Sequence, residues 1–388
     1  MREVWIVGVG MTRFGKLSTY GVRELAEEAV FHALKDAGAK PADIEVAYCG
    51  TEAMGPDTPM LVGQIALEQM GIKGIPITNV ANACGSGSNA VREAWLALQS
   101  GLYDVALALG VEKLTSPHPD MFQLLSRLGG ADLMLEGCMG FFPPGVFSMA
   151  ALKHMERYGT TREQIAMVAV KNNYNGSLNP KAHYQKPVTV EDVLHSRPVS
   201  YPLNVLDCCP ISDGAAAVVL CAAEAAKRFT GVPVRMRAAA HKSGTYRDDT
   251  DLDADTTRRA AREAYEMAGL GPDDIDLAEV HDCFTFAEIQ HYEDLGFCKP
   301  GEGGRFVEEG HAAIGGRIAV NPSGGLLAKG HPLGATGPGQ VNEVVEQLRG
   351  RCGKRQVPDA RIGMTHNGGG FRHGDTGIVV SFILEKMK

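Results

Sequence analysis

The chain repeats one succession of helix, turn and strand in its two halves. The segment "DAGAKPADIEVA", which begins at Asp36, aligns without a gap with "MAGLGPDDIDLA", which begins at Met267. In each copy a helical stripe ends at a glycine, and a turn that contains proline leads into an apolar strand. Two glycine-rich turns, "NACGSGSNA" and "GHPLGATG", then each open a helix. We therefore predict two copies of one α/β unit, with sheets between layers of helices.

The two copies are predicted to occupy separate parts of the chain. Residues 1–116 form the N-terminal half, which residues from about 203 to 230 complete with a further strand and a helix, and residues 231–388 form the C-terminal half. The intervening residues 117–202 are rich in Met, Phe, Pro and Gly and are expected to cover a site. Some apolar residues there suit a pocket, a dimer contact or plain packing, and we favour packing for most of them: Met121, Phe122, Leu124 and Phe141-Phe142-Pro143-Pro144.

Composition limits the classes of partner and compartment. With 44% hydrophobic and 22% charged residues, the chain has an ordinary globular composition. Its net charge of −8 argues against nucleic acid or an anionic membrane as the main partner. We find no signal-peptide pattern and no apolar run of membrane-spanning length. The nine cysteines include no C-x-x-C pair, so we interpret them as reduced thiols of a cytoplasmic protein.

Cys84 stands among small residues where an apolar run turns into a helix. A helix N-terminus is expected to lower the pKa of this thiol, and the N–H groups of the turn can bind an oxyanion. One alternative is a dinucleotide loop, because Gly85–Ala90 fits G-x-G-x-x-A and Asp104 lies downstream. A second alternative is a buried thiol that packs a tight turn. The dinucleotide pattern is weak alone and does not explain the cysteine.

Three further stretches carry titratable groups next to predicted strands or helices. In "HDCF", His281 and Cys283 follow the strand "DLAEV", and the chain must bend if both are to face one site. In "GHPLG", His331 has the pKa range suited to taking a proton from a thiol. In "THNGGGFRHG", His366 is expected to follow a strand, and Gly368–Gly370 expose N–H groups. Cysteine with histidines can also bind metal, but the spacing on any one element is wrong, so we predict no metal site.

Together these motifs resemble the thiolase superfamily over essentially the whole chain. The resemblance rests on Cys84 in "NACGSGSNA", on His331 in "GHPLGATG" and on the duplicated halves around an insertion. Ordinary thiolases have N-E-A-F in place of "HDCF" and C-x-G in place of His366-Asn367-Gly368. In both departures the chain resembles the branch of sterol-carrier-protein-type and lipid-transfer-protein-like acetyl-CoA acetyltransferases. The resemblance implies a layered α-β-α-β-α fold and coenzyme A thioesters as substrates, with no permanently bound cofactor.

The resemblance also implies a role for each motif. Cys84 is expected to be the nucleophile that becomes acylated, and His331 to activate it. His281, at the place of the asparagine of N-E-A-F, should bind the oxygen of the second substrate's enolate. Gly368 is expected to bind the acyl-enzyme oxygen through its N–H group, together with the N–H of Cys84. The implied reaction is transfer of an acyl group to Cys84 and Claisen condensation with a second acyl-CoA, or the reverse cleavage.

The acid/base that moves the α-proton has two candidates. Cys283 takes this role in the sterol-carrier branch and is our choice, while His366 occupies the position of the cysteine of C-x-G. Alternatives are a ketoacyl synthase or an acyltransferase with a non-CoA acceptor, a retro-aldolase, a non-catalytic scaffold subunit, and an NAD-dependent oxidoreductase. The family implies a homodimer or tetramer and a small zinc-ribbon/OB-fold partner protein. Chain length of the acyl group and direction of the reaction stay open.

Overall fold

The computed structural model describes most of the chain. In the described part, no helix combines the length and the apolar composition that crossing a bilayer requires. Met121, Phe122, Leu124 and Phe141, for which a pocket, a dimer contact and packing were considered and packing was favoured, lie outside that part. The described residues are 2–52, 59–115, 135–136, 142–246, 248, 250–372 and 374–387.

The main sheet repeats one strand order in the two halves. The strands of the described part are β1 Val4–Met11, β2 Val46–Gly50, β3 Ile77–Val80, β4 Val105–Glu112, β5 Pro198–Ser200, β6 Leu203–Asn204, β7 Gly214–Ala222, β8 Val234–Ser243, β9 Leu277–Glu279, β10 Ala319–Val320, β11 Ile362–Arg372 and β12 Asp375–Lys386. β5 and β6 pair with each other in a separate sheet, and the other strands form the main sheet. The N-terminal half has the order β3-β2-β4-β7-β1, and the C-terminal half has β10-β9-β11-β12-β8. Antiparallel pairing of β1 with β8 joins the halves, so equivalent strands occupy equivalent places.

The helices in the described part form three layers around this sheet. They are α1 Val22–Ala37, α2 Val62–Glu68, α3 Ser86–Gln99, α4 Pro143–Tyr158, α5 Arg162–Ser177, α6 Val190–His195, α7 Thr256–Ala268, α8 Thr285–Asp294, α9 Gly303–Glu308, α10 Gly325–Lys329 and α11 Leu333–Leu348. Helix α1 packs on β1 and β7, and α7 packs on β8 and β12. Helices α3 and α11 pack against each other, and α11 contacts strands of both halves. These two helices therefore form the central layer.

The apolar pattern of the sequence explains this layering. Every residue of β4 and β7 is buried, as expected for strands that are covered by helices on both faces. Helix α1 buries the stripe Leu25, Ala29 and Ala33, and Gly38 ends it with a left-handed φ of 68°. Core side chains from both halves, such as Val91 and Phe382, meet in one apolar cluster beside the central helices.

Gly87 shows why the stretch around Cys84 contains small residues. A Cβ atom on Gly87 would lie 1.9 Å from the carbonyl oxygen of Gly334, in the first turn of α11. The N-terminal turns of α3 and α11 therefore approach at backbone distance, which only glycine permits. Asp104, the acidic residue of the dinucleotide alternative, makes an ion pair with Arg2. Both observations give the G-x-G-x-x-A pattern a packing role instead of a nucleotide-binding one.

Two local predictions are wrong. His366 was expected to follow a strand, but β11 continues through "HNGGG" to Arg372 and pairs with β12 along this length. His366 and its glycines are therefore part of the sheet, and the ladder fixes their positions. The helix expected after β7 is a short 3-10 helix, Ala223–Arg228, because the next strand begins soon after it.

Candidate active site

One large cavity brings the predicted site residues together. It has a volume of about 1590 Å³ and lies where the central helices begin and the strands of both halves end. Its lining includes all six predicted site residues, namely Cys84, His281, Cys283, His331, His366 and Gly368. The carboxyl ends of strands are the usual ligand-binding edge of α/β sheets, which is why residues from distant parts of the sequence meet here.

The turn between β3 and α3 is sharp and places Cys84 at the cavity. Ala83 has a φ of 49°, in the left-handed region that residues with a side chain rarely adopt. The N–H groups of Gly85 and Ser86 donate to the carbonyls of Asn82 and Ala83 and close the turn. The strained backbone at Ala83 is typical of nucleophile turns, in which a side chain is held out toward substrate.

His331 lies in the turn between α10 and α11. Its Nδ1 is 2.8 Å from the Oγ1 of Thr336, and that hydroxyl donates to the carbonyl of Pro332. Because the hydroxyl proton is used in that bond, the Oγ1 of Thr336 accepts a hydrogen bond from the Nδ1–H group of His331. The Nε2 atom of His331 is therefore unprotonated and can accept a proton from a group in the cavity.

His281 carries its ring proton on the other nitrogen. The Nδ2 of Asn367 donates to Nδ1 of His281 at 2.9 Å, and the Oδ1 of Asn367 accepts from the hydroxyl of Ser88 at 2.9 Å. The remaining ring proton of His281 is therefore on Nε2, which makes this side chain a hydrogen-bond donor. One histidine thus offers a base and the other offers a donor.

The two rings and the thiol form a compact group. The Sγ of Cys84 and the nearest ring nitrogens of His281 and His331 all lie within 4.8 Å of one another. The ring centroids of the two histidines are 5.0 Å apart. Such a set could also hold a metal ion, but the proton that Asn367 places on Nε2 of His281 blocks the lone pair that a metal would need. The bonding pattern fits catalysis through hydrogen bonds better than coordination.

The pKa of Cys84 departs from its predicted direction. Burial raises it to about 12, and the carboxylates of Glu52 and Glu112 act in the same direction. A helix N-terminus contributes about 0.3–1 kcal/mol, which is less than one pKa unit at about 1.4 kcal/mol per unit. Burial and two nearby carboxylates therefore outweigh the helix. Burial also lowers the pKa of His331 to about 3, so thiol and imidazole are both neutral at rest.

Cys283 reaches the same cavity through a bend in the chain. The N–H of Asp282 donates to the carbonyl of Val280, and this tight turn re-aims the residues that follow. Burial raises the pKa of Cys283, and so do the neighbouring thiols of Cys209 and Cys84. The N–H of Cys209 donates to the carbonyl of Cys283 at 3.0 Å. The predicted bend is present, and the site holds a third thiol, Cys209, that the sequence did not reveal.

His366 and the glycines that follow it lie on β11 and have different surroundings. The ring of His366 is nearly buried, lies 4.2 Å from the ring of His291 between centroids, and has its Nε2 3.2 Å from the hydroxyl of Thr257. Its partners are therefore side chains of α7 and α8. A Cβ atom on Gly369 would lie 2.7 Å from the N–H nitrogen of Gly85, so the backbone of β11 closely approaches the turn of Cys84.

Both halves of the chain match family models of known proteins. Residues 4–201 match the family model "Thiolase, N-terminal domain", and residues 238–381 match "Thiolase C-terminal domain-like". An acetyl-CoA acetyltransferase of Methanothermobacter thermautotrophicus is 48% identical over 95% of this chain and 97% of that protein. Sterol carrier protein 2 of Bos taurus is 39% identical over 94% of this chain and 70% of that protein.

A solved structure gives the same picture of the fold. The structure described as Ltp2-ChsH2(DUF35) aldolase has a TM-score of 0.85 and 28% identity, and the match covers 99% of this chain and 98% of the matched chain. Together with the two family models, it confirms the duplicated α/β fold class predicted from the sequence. The predicted relation to acetyl-CoA acetyltransferases and sterol carrier proteins is confirmed as well.

Proposed function

This chain belongs to the thiolase family, and we propose that it transfers the acyl group of acetyl-CoA or a related acyl-CoA, through Cys84, to a second acyl-CoA. The observation that carries the proposal is the group of Cys84, His281 and His331, within 4.8 Å of one another, with one histidine as acceptor and the other as donor. A neutral thiol needs a base, and a developing enolate needs a donor. The relatives named as acetyl-CoA acetyltransferases support the choice of acyl group.

In the first step the thiol of Cys84 attacks the thioester carbonyl. Its proton passes to Nε2 of His331 as the new S–C bond forms, and the C–S bond to coenzyme A breaks. The departing thiolate of coenzyme A takes a proton from Cys283. The N–H groups of Cys84 and Gly368 would bind the carbonyl oxygen. The products are acyl-Cys84, free coenzyme A, protonated His331 and the thiolate of Cys283.

In the second step the thiolate of Cys283 removes the α-proton of the incoming acyl-CoA. The Nε2–H of His281 binds the enolate oxygen, and the enolate carbon attacks the acyl carbonyl. The bond to Cys84 then breaks, and protonated His331 returns its proton to the sulfur. Both thiols end protonated, as their raised pKa values require at rest. The same steps in reverse cleave a 3-ketoacyl-CoA.

We assign the α-proton to Cys283 in preference to His366. Cys283 lies close enough to Cys84 for the charge of the Cys84 thiolate to raise the pKa of Cys283, which supports a shared substrate-binding site. His366 instead contacts Thr257 and His291. Burial, His291 and His281 lower the pKa of His366 well below its usual value, but burial lowers the pKa of His331 as well, so the contacts of His366 and not its pKa decide the assignment.

The rim of the cavity supports coenzyme A as the carrier. The exposed cations Lys153 and Arg157 are one turn apart on α4, and Arg197 precedes β5; all three line the cavity. Cations at these places suit the phosphates of a nucleotide-bearing thioester. The sequence offered no phosphate-loop motif, because this recognition uses side chains from separate elements around the opening.

A retro-aldolase is the second candidate, since the solved aldolase has a similar fold. Cys84, with its base His331 and its donor His281, favours acyl transfer, because an aldol cleavage does not use an acylated cysteine. That aldolase is named together with ChsH2(DUF35), which supports a small partner protein for this chain too. A homodimer or tetramer and a cytoplasmic location stay predictions, which light scattering and cell fractionation would test.

Incubation with acetyl-CoA tests the proposed function. We expect the protein to gain the mass of one acetyl group, with release of free coenzyme A and slow formation of acetoacetyl-CoA. Peptide mapping should place the acetyl group on Cys84. An aldolase would show no acetyl gain and would cleave an aldol thioester instead. No labelling by acetyl-CoA, acetoacetyl-CoA or longer acyl-CoAs, with or without the partner, would overturn the assignment.

A further inference from the structure

Two carboxylates of the N-terminal half lie behind Cys84, away from the proposed proton transfers. Glu112 is the last residue of β4 and is 1% exposed, and Glu52 follows β2. Neither was predicted as a site residue, although both follow apolar strands as the residues of "HDCF" do. Buried carboxylates are costly unless they are well bonded, so their partners indicate what they do.

Glu112 connects two segments of the chain. Its Oε2 accepts from the N–H of Gly334 at 3.1 Å and from the N–H of Glu52 at 3.0 Å. Its Oε1 accepts from the hydroxyl of Thr51 at 3.4 Å. Gly334 lies in the first turn of α11, three residues after His331. One carboxylate thus bonds both the turn that carries the base and the end of β2.

Glu52 continues this connection to the nucleophile. Its Oε1 accepts from the N–H of Asn82 at 3.0 Å and from the hydroxyl of Ser86 at 2.5 Å. The same hydroxyl lies 2.7 Å from the carbonyl of Ala83, whose φ is strained. These bonds hold both sides of Cys84. They account for how the strained turn persists.

We propose that Glu112 is a positioning residue, which through Glu52 holds the turn of Cys84 at a fixed distance from the turn of His331. The connection runs from Gly334 to Glu112, then to the backbone and side chain of Glu52, and finally to Asn82 and Ser86. Its loss lets the thiol and its base move apart. A displacement of about 1 Å can reduce the rate of a positioned reaction by about a hundredfold.

The charge of Glu112 has a separate, measurable effect on the same thiol. Burial raises the pKa of Glu112 to about 7, while its N–H donors favour the ionised form. Ionised Glu112 and Glu52 both raise the pKa of Cys84. The titratable groups that face Cys84 are Glu52, Glu112, His281, His331, Cys209 and Cys283. Removal of one negative charge from this set makes the thiol more acidic.

Two substitutions separate position from charge. Glu112→Gln can keep its oxygen on the N–H groups of Gly334 and Glu52 and turn its amide toward Thr51, so it preserves the connection without the charge. Glu112→Leu removes both. Glu343→Gln is the matched control, because Glu343 is also buried but bonds Arg355 and Gln347 away from the cavity.

The readout is the rate at which iodoacetamide alkylates Cys84 between pH 6 and pH 11 in the full chain. Glu112→Gln should shift the profile by roughly one pH unit toward lower pH, and Glu343→Gln should leave it unchanged. A profile of Glu112→Gln that superimposes on wild type overturns the effect of the Glu112 charge on the pKa of Cys84. Alkylation needs no acyl-CoA, so this result is independent of the proposed function on which the positioning role rests.

Acylation kinetics then test position. Folded Glu112→Leu should acylate Cys84 about a hundredfold more slowly from acetyl-CoA, with KM changed less than threefold, and Glu112→Gln should stay within about tenfold of wild type. Wild-type acylation by Glu112→Leu would overturn the positioning role. If Glu112→Leu does not fold, Glu112→Asp takes its place, because it keeps the charge on a side chain that is one CH2 too short to keep both bonds; slow acylation is again expected, and wild-type acylation would overturn the positioning role.

Discussion

The two halves of the molecule share a strand order but not a chemical task. In the alignment of the two repeats, Glu52, which follows β2, is equivalent to Cys283, which follows β9. In the N-terminal half the residue at this place anchors the turn of Cys84 by hydrogen bonds. In the C-terminal half it is a thiol that lines the cavity. One copy therefore holds the proposed nucleophile in place, and the other presents the groups proposed to exchange protons.

A second equivalent pair follows the same division. β2 pairs with β4 at Val46 and Ala106, and β9 pairs with β11 at Leu277 and Gly363. Counted from these pairs, Glu112 of β4 is equivalent to Gly369 of β11. The carboxylate spans two turns, whereas the glycine lets β11 approach the turn of Cys84 closely. The duplicated framework fixes where strands end, and the residue at each end decides what that place does.

The largest expected effect comes from the nucleophile itself. Cys84→Ser should lose acetylation and reduce turnover by more than about a thousandfold, because a serine hydroxyl is far less acidic than a thiol and His331 is a weak base. Intact mass spectrometry with acetyl-CoA measures this. Cys209→Ser, which changes a neighbouring thiol, is the control and should still acquire the acetyl group. Acetylation of Cys84→Ser at the wild-type rate would place the nucleophile elsewhere.

Replacement of Cys283, the proposed proton-transfer residue of the C-terminal half, should have the next largest effect. Cys283→Ala should keep acetylation but lose condensation by about 10²–10⁴-fold, since only the α-proton step needs this group. His366→Ala should condense within about tenfold of wild type. The assay is acetoacetyl-CoA formation from purified acetyl-enzyme and acetyl-CoA. Full activity in Cys283→Ala together with loss in His366→Ala would make our acid/base assignment wrong.

Replacement of His281, the proposed donor to the enolate oxygen, should have a smaller effect. His281→Ala removes the Nε2–H donor and should reduce condensation by about 10²–10³-fold, the usual effect of one oxyanion donor. His281→Asn keeps an amide donor and should recover part of this loss. Equal condensation rates for the two variants would show that His281 acts through packing and not through its proton.

The smallest expected effect lies at the cavity rim, outside the two repeated units. The double variant Lys153→Glu and Arg157→Glu should raise KM for acetyl-CoA by about tenfold and leave kcat nearly unchanged, because the phosphates bind before any bond changes. Lys227→Glu, which reverses one charge on an exposed segment away from the cavity, is the control for charge reversal. An acyl-pantetheine thioester, which lacks the nucleotide, should be equally good for all variants. A rise in its KM would point to a general distortion.

The residues proposed to face substrate were recognisable in the sequence, whereas the carboxylates proposed to position them were not. Cys84, His281, Cys283 and His331 were recognisable because each follows a strand or opens a helix of the repeat. Glu52 and Glu112 also follow strands, but their partners are brought to them by folding. The backbone N–H of Gly334 is one such partner, and its position depends on how α11 packs.

Burial explains the remaining errors. The low pKa predicted for Cys84 was based on the helix N-terminus, which adjacent residues reveal. It did not include the exclusion of solvent and the two carboxylates that folding brings near the thiol. The packing role of Gly87 was not predicted, because its contact is with Gly334, far along the chain. Such close contacts have no local signature. The cations of the rim were missed for the same reason.

The division of labour between the halves is tested most directly by hydrogen exchange at the α-carbon. Acetylated wild-type enzyme in D2O should exchange the methyl hydrogens of added acetyl-CoA for deuterium, as the thiolate of Cys283 removes and returns them. Cys283→Ala should become acetylated on Cys84 at close to the wild-type rate, yet exchange no hydrogen above background. Exchange at the wild-type rate in Cys283→Ala, or loss of acetylation and exchange together in this folded variant, would contradict the account.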